Sequence, residues 1–365
     1  MKKLTTTLAL AALAFGCSKR EEEGTVQKSV DPGSAAAKPA EPAKPETPKT
    51  LSGADLAQKY QACVGQLNAG KLDEFRKDCI DSGYVGHAFA GMPETKGADA
   101  RMVMFKDQRT SFPDWKLEPQ LIMVSGRNIL AVNLVTGTNS GPLKTPMGEM
   151  PATDKRIGLL MFHRLKLNDA NMATDEWAVV DVPTMMGQLG VSKSAEPARA
   201  PMVQGIEGAP IVLVTADDAK EKANLEAVKK GNDAFVANKV PELMATLADD
   251  ATESDQSGPR DVQGKKEIEK NLTTFRNAWS DVKVSNAEMW AAGDYVIQVM
   301  KFEGKHDKDL GKLKKTGKTV ALDVVEVMRF KDGKIDRMWR FGNSMDFAMQ
   351  LGLMPPPGTT PPAAK

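Results

Sequence analysis

Residues 177–190 read WAVVDVPTMMGQLG, and residues 339–352 read WRFGNSMDFAMQLG. Each stretch opens on Trp, carries Asp181 or Asn343 at the same spacing, and closes on Gln-Leu-Gly. Paired endings of this kind point to a duplicated unit, and other landmarks keep step with them. Gly126 and Gly137 match Gly293 and Gly304 at one offset, and Phe112-Pro113-Asp114-Trp115 matches Trp279-Ser280-Asp281-Val282. Further upstream, Asn68-Ala69-Gly70-Lys71-Leu72 parallels Ala237-Asn238-Lys239-Val240-Pro241 as the middle of a helix–turn–helix. The repeat predicts two domains, residues 52–190 and 219–354.

Within each block helices lead and strands follow. ADLAQKYQACVGQLNAG spaces its apolar residues at a helical period, whereas from Trp115 onward the period falls to two. Strands are predicted over 116–124, 128–136, 157–167 and 175–181, and in the second block over 319–330 and 334–341. Lys331-Asp332-Gly333 between the last two is a hairpin turn. Helices leading into an antiparallel meander give an α+β fold, with helices packed on one face of a curved sheet.

The flanks differ in composition. Lys2 and Lys3 precede a short apolar run that ends in Leu13-Ala14-Phe15-Gly16-Cys17. That run is too short to span a bilayer and reads as an export signal. Its end resembles a bacterial lipobox, which implies lipidation of Cys17; Ser18 behind it resembles an outer-membrane sorting signal. The expectation is a chain held at the bacterial outer membrane by its lipid alone, facing the periplasm or the cell surface. The competing reading is ordinary cleavage after Ala14 and release. Residues 18–50 and 355–365 are Pro-rich with little to bury, and are expected to be a disordered tether and tail; 191–218 reads as a linker. With 49 Lys+Arg against 48 Asp+Glu, the chain shows no basic surplus for nucleic acid. Cys63 and Cys79 flank the first turn in an exported chain, so they are expected to pair as a disulfide, the alternative being two buried thiols. Neither belongs to a His/Cys cluster of metal-binding spacing.

Phe112-Pro113-Asp114 ahead of a strand, Thr136-Gly137-Thr138, and the terminal Trp and Gln-Leu-Gly resemble the SnoaL-like polyketide cyclase group of the nuclear transport factor 2-like (NTF2-like) superfamily. So does the hairpin from Val327 to Ile335 followed by Trp339. The resemblance implies two cone-shaped domains, each with an apolar pocket between sheet and helices. It also implies an acid/base Asp directly after the last-strand Trp, and no metal or organic cofactor. Here Ala178 and Arg340 stand at that place, so neither block keeps the family base.

Substitutes lie on the adjoining strand. His163 interrupts the apolar face Ile157, Leu159, Met161, Leu165, Leu167, and Glu326 interrupts Val320, Leu322, Val324, Met328, Phe330 at the matching place. Either is a candidate general base, although a hydrogen-bonded core residue is the commoner fate of such a group. Asp175, Trp177 and Asp181 in the first block, and Arg337, Trp339 and Asn343 in the second, are expected to border the pockets. Asp181 and Asn343 equally suit helix N-caps. His87 is placed near a pocket mouth, and His306 in a solvated loop. Three readings follow. The first is a module in which each domain holds a small apolar or partly polar molecule without turnover. The second is a cofactor-independent cyclase, isomerase or hydratase using His163 or Glu326. The third is a structural module whose domains pair with each other, or dimerise, through their sheet faces.

Overall fold

The computed structural model describes residues 51–145, 148–191 and 197–354. Cys17, the expected tether and the expected tail lie outside the described residues, and no helix among the described residues is long and apolar enough to cross a membrane. The first block runs α1 (Gly53–Asn68), α2 (Leu72–Cys79), β1 (Ile80–Gly86), β2 (Thr95–Lys96), α3 (Ala98–Ser111), β3 (Lys116–Ser125) and β4 (Asn128–Thr138). It continues through the short hairpin β5 (Leu143–Thr145) and β6 (Gly148–Met150), then β7 (Arg156–Leu167), β8 (Ala173–Val179) and α4 (Val182–Gln188). After β9 (Ile211–Val214) the second block repeats the order. It has α5 (Ala219–Val236), α6 (Val240–Met244), β10 (Leu247–Asp255), β11 (Val262–Gln263) and α7 (Lys265–Asn277), then β12 (Trp279–Ala292), β13 (Tyr295–His306), β14 (Thr319–Lys331), β15 (Lys334–Phe341) and α8 (Ser344–Gln350).

Local chemistry explains the leading helices. Ser52 and Asp55 form a reciprocal capping box at the start of α1, and Asp218 accepts from the Glu221 amide at 2.8 Å to start α5. Leu56, Tyr60, Val64 and Leu67 then bury one stripe of α1. Both helix–turn–helix units reverse at a left-handed residue, Gly70 (φ 72°) and Asn238 (φ 56°). The disulfide expected across the first turn is present, with the Cys63 and Cys79 Cα atoms 6.0 Å apart.

The sheets run β2-β1-β8-β7-β4-β3-β9 and β11-β10-β15-β14-β13-β12. They are mostly antiparallel, with parallel pairs β1·β8, β10·β15 and β3·β9. Register shifts in β3 and β12 mark bulges, which bend a strand and curve its sheet. Gly137 and Gly304 share one role: a Cβ there would sit 3.2 Å from Phe112, which closes α3 ahead of β3, and 3.3 Å from Trp279, which opens β12.

Each sheet has helices on one face and the other sheet on its second face. In β4 every residue from Ile129 to Gly137 is buried. Ile129, Ala131 and Val135 meet the helices, while Leu130, Val132 and Leu134 join Ile297, Val325, Val327 and Phe341 of the second sheet in one core. Each such side chain contributes roughly 1.5–3 kcal/mol on burial. Separating the sheets would therefore cost on the order of a whole domain's net stability. The segment read as a linker belongs to this fold. β9 extends the first sheet alongside β3, the Met202 amide donates to Gly158 O at 2.8 Å, and the Thr215 hydroxyl donates to Ala291 O at 2.9 Å.

Candidate functional site

Strand registers fix which side chains enter each cone. His163 lies directly opposite Ala178, and Glu326 directly opposite Arg340, so the two interruptions do occupy equivalent places. One strand further, Ala131 pairs with His163, and Gln298 pairs with Glu326. On the other side Gly86 pairs with Glu176, and Glu253 with Met338. The cone-facing residues of the last strands are therefore Glu176 and Ala178, and Met338 and Arg340.

The cone face is therefore offset by one residue from the expected one, although Arg337 and Trp339 do line a separate cavity of about 490 Å³ on the other face. Trp177 points between the sheets, stacked on His87 at 4.3 Å and on the Arg164 guanidinium at 4.5 Å, and that guanidinium also lies 4.5 Å over Trp290. Arg164 binds Glu288 through both nitrogens, at 2.7 and 2.9 Å, and Asp175 holds His87 at 2.7 Å. Trp339 is buried between the sheets, and Arg337 reaches Asp261 at 2.7 Å and the Ser254 hydroxyl at 2.8 Å. Both faces of the last strand are covered, one by helices and one by the other sheet, so an apolar side chain there does not reveal which face is the pocket. Asp181 and Asn343 are N-caps. Asp181 accepts from the Thr184 amide at 2.9 Å and from Ser344 N and Oγ at 2.7 Å, tying α4 to α8, and Asn343 accepts from the Met345 amide at 3.1 Å. His306 is no loop residue: it ends β13 fully buried, packed on Trp279 at 5.0 Å, and accepts the Thr316 amide at 3.2 Å.

The first cone is nearly full. Its cavity is about 70 Å³. Its polar centre is Glu176, which accepts from Arg101 at 2.8 Å and from the Tyr84 hydroxyl; His163 Nε2 approaches it at 3.6 Å, beyond hydrogen-bond range. Burial alone would raise the Glu176 pKa, but Arg101, His163 and Tyr84 together hold it below the usual carboxylate range. Burial also lowers the His163 pKa against the pull of Glu176, with Arg101 adding to the lowering, so the imidazole is neutral at pH 7. Both Glu176 oxygens are taken, while His163 Nε2 is buried without a hydrogen-bond partner and has little space to act in.

The second cone is hollow. Its cavity is about 360 Å³, within the range of small-molecule sites. α5, α6 and α7 line it with apolar side chains such as Val228, Phe235, Met244 and Leu272, together with Asn232 and Asn271, and place no charged side chain there. All its charge comes from the sheet. Arg340 Nε donates to Glu326 at 2.9 Å, Nη1 donates to Glu253 and lies 3.9 Å from Asp255, and Nη2 meets only the Met338 sulfur at 4.0 Å. The other Glu326 oxygen accepts from Gln298 at 2.5 Å, and Gln298 in turn accepts from Asn232 at 3.0 Å. Glu326 is therefore held at both oxygens. Glu253 is held at one, and its Oε2 has no hydrogen-bond partner among the described residues, although the residue is only 8 % exposed. Burial raises the Glu253 pKa; Arg340 opposes this, while Asp255 and Glu326 reinforce it.

Four substitutions account for the unequal volumes. The left-handed turn residues Gly70 and Asn238 align α1 with α5, which puts Tyr60 opposite Val228 and Cys63 opposite Gly231. The glycines before α3 and α7, Gly97 (φ 83°) and Gly264 (φ 84°), align the next segment, which puts Tyr84 opposite Ala251 and Arg101 opposite Ile268. Tyr60 and Tyr84 fill the first cone, with Tyr60 bonded to Asn133 at 2.9 Å, and the smaller counterparts leave the second open. The same alignment sets Glu253 opposite Gly86. Sequence reading missed Glu253 because its strand, Leu247–Asp255, carries four acids and no clean alternation. No group of three or more His, Cys, Asp or Glu able to hold a metal occurs among the described residues.

Two family models match the chain: SnoaL-like polyketide cyclase over residues 54–189 and SnoaL-like domain over residues 228–338. No curated protein matches it in sequence. Among solved structures, a proposed polyketide cyclase from Xanthomonas campestris pv. campestris is 19 % identical with a TM-score of 0.34, the match covering 36 % of this chain and 99 % of that one. A proposed polyketide cyclase from Pseudomonas putida KT2440 is 21 % identical with a TM-score of 0.33, covering 35 % and 96 %. A protein with a ketosteroid isomerase-like fold from Catenulispora acidiphila DSM 44928, in complex with trimethylamine, is 20 % identical with a TM-score of 0.31, covering 37 % and 98 %.

Proposed function

We propose, starting from a chain that carries two tandem SnoaL-like domains of NTF2-like fold, that it is a binding protein with one working pocket. The second domain takes up a small, largely apolar molecule without turnover, and the first supports it. The observation that carries this reading is the difference between a cavity of about 360 Å³ and one of about 70 Å³. The polar groups agree with it. Arg340 occupies the place where the family resemblance implies the base, and Glu326 is tied down by Arg340 and Gln298. Cys17 lipidation at the outer membrane is part of the proposal and rests on the sequence alone; a Cys17→Ser chain that still fractionates with membranes would remove it.

The test is uptake of the neutral fluorophore N-phenyl-1-naphthylamine by the full chain. One site per chain is expected, lost in Val228→Tyr with thermal stability retained. Absence of uptake by the parent chain would sink the proposal.

One observation favours a second reading as an acid/base enzyme: Glu253 lines the open cavity with a free oxygen and a pKa raised by burial. If it moves protons, a ketone held in the cavity exchanges its α-protons with D2O faster in the parent than in Glu253→Gln, measured by NMR. Equal rates leave the binding reading alone in place.

A further inference from the structure

The charges of the second cavity do not balance. Three carboxylates, Glu253, Asp255 and Glu326, meet a single guanidinium, Arg340. The remaining polar lining is uncharged, so no other cation among the described residues of the wall offsets them. Glu326 has both oxygens occupied, and Asp255 sits at the more exposed edge, its side chain 36 % accessible. Glu253, itself 8 % exposed, is left with one oxygen that has no partner among the described residues and stays accessible at the wall of the hollow. An accessible carboxylate oxygen with no protein donor is free to accept from a ligand, and an ionic hydrogen bond there is stronger than a neutral one.

We propose that the molecule held in the second domain is an apolar body ending in a protonated amine, its ammonium donating to Glu253 Oε2. This rests on the reading that the cavity binds a ligand, and it adds the chemical class. The ammonium supplies the missing positive charge, and its carbon chain fills the volume between α5, α7 and the sheet. A neutral alcohol donates the same hydrogen bond without the charge. A carboxylate meets three like charges, and only Arg340 Nη2, now against the Met338 sulfur, is left to receive it. Discrimination therefore comes from attraction to one class and repulsion of another.

The experiment is calorimetric titration of the full chain at pH 7 with decylamine, decanol and decanoate, which share a chain length and differ in head group. Decylamine is expected to bind at least about tenfold tighter than decanol, the scale of one charge-assisted hydrogen bond, with decanoate weakest. In Glu253→Gln, a near-isosteric change, the amine-to-alcohol ratio is expected to fall toward one. Equal binding of amine and alcohol by the parent chain overturns the amine assignment while leaving the pocket reading intact. Tightest binding of decanoate overturns it in favour of an anion on Arg340. Failure of all three to bind overturns the amine assignment and the pocket reading together.

Discussion

Glu176 and Glu253 are both buried carboxylates beside an arginine, and burial pushes both pKa values up, yet their partners leave them shifted in opposite directions. Glu176 has Arg101, Tyr84 and His163 around it and is held below its ordinary pKa range. Its contribution to stability is present above the pKa of an unfolded glutamate and is lost as pH falls through its folded value. Glu253 shares its arginine with Glu326 and Asp255 and is held above the ordinary range. Its contribution is complete below the unfolded pKa and is lost as pH rises through the folded value. Glu176→Gln should therefore lower the melting temperature at pH 7, with a deficit that shrinks in acid. Glu253→Gln should raise it at pH 7, with a gain that vanishes in acid. Differential scanning fluorimetry across pH reads both, and a lower melting temperature for Glu253→Gln at pH 7 would contradict the assignment. A destabilising charge retained in an open cavity fits a group kept for binding rather than for folding.

At the scale of elements, much was legible in the sequence. The period-two segments gave β3, β4, β7, β14 and β15 nearly to the residue, and the turn between Cys63 and Cys79 was placed correctly. Three things were not legible. β1 and β10 lack an apolar alternation, so Glu253 went unnoticed. The last strands are covered on both faces, so Trp177 and Trp339 read as facing the cones whereas they point between the sheets, Trp339 onto a separate cavity. The segment around β9, full of Pro and Gly, looked like a linker but is bonded to both sheets. Two predictions belong here. Replacing Cys63 and Cys79 together by Ala should cost about 3 kcal/mol of unfolding free energy, the loop-entropy scale for a crosslink closing about 15 residues, read by urea denaturation under oxidising conditions. Gly158 passes so close to the crossing segment that a Cβ would lie 2.1 Å from Met202 O. Gly158→Ala should therefore destabilise by about 1–3 kcal/mol, and an unchanged urea midpoint would show that the segment does not pack there.

Across the whole molecule, the repeat announced in the paired Trp…Gln-Leu-Gly endings is a repeat of fold and not of content. The sheet faces that cover one another make a single core, whereas the helix-facing cones have diverged. One is packed with Tyr60, Tyr84, Arg101 and a disulfide, and the other is left open by Val228, Ala251, Ile268 and Gly231. That divergence could be aligned from the sequence once the turn residues were matched, but its sum, a volume, exists only when the side chains are placed in three dimensions. The most direct measurement is a crystal structure under xenon pressure, since xenon enters apolar cavities irrespective of head-group chemistry. The account predicts xenon between α5, α7 and the second sheet and none in the first cone; xenon in both cones, or in neither, would contradict it.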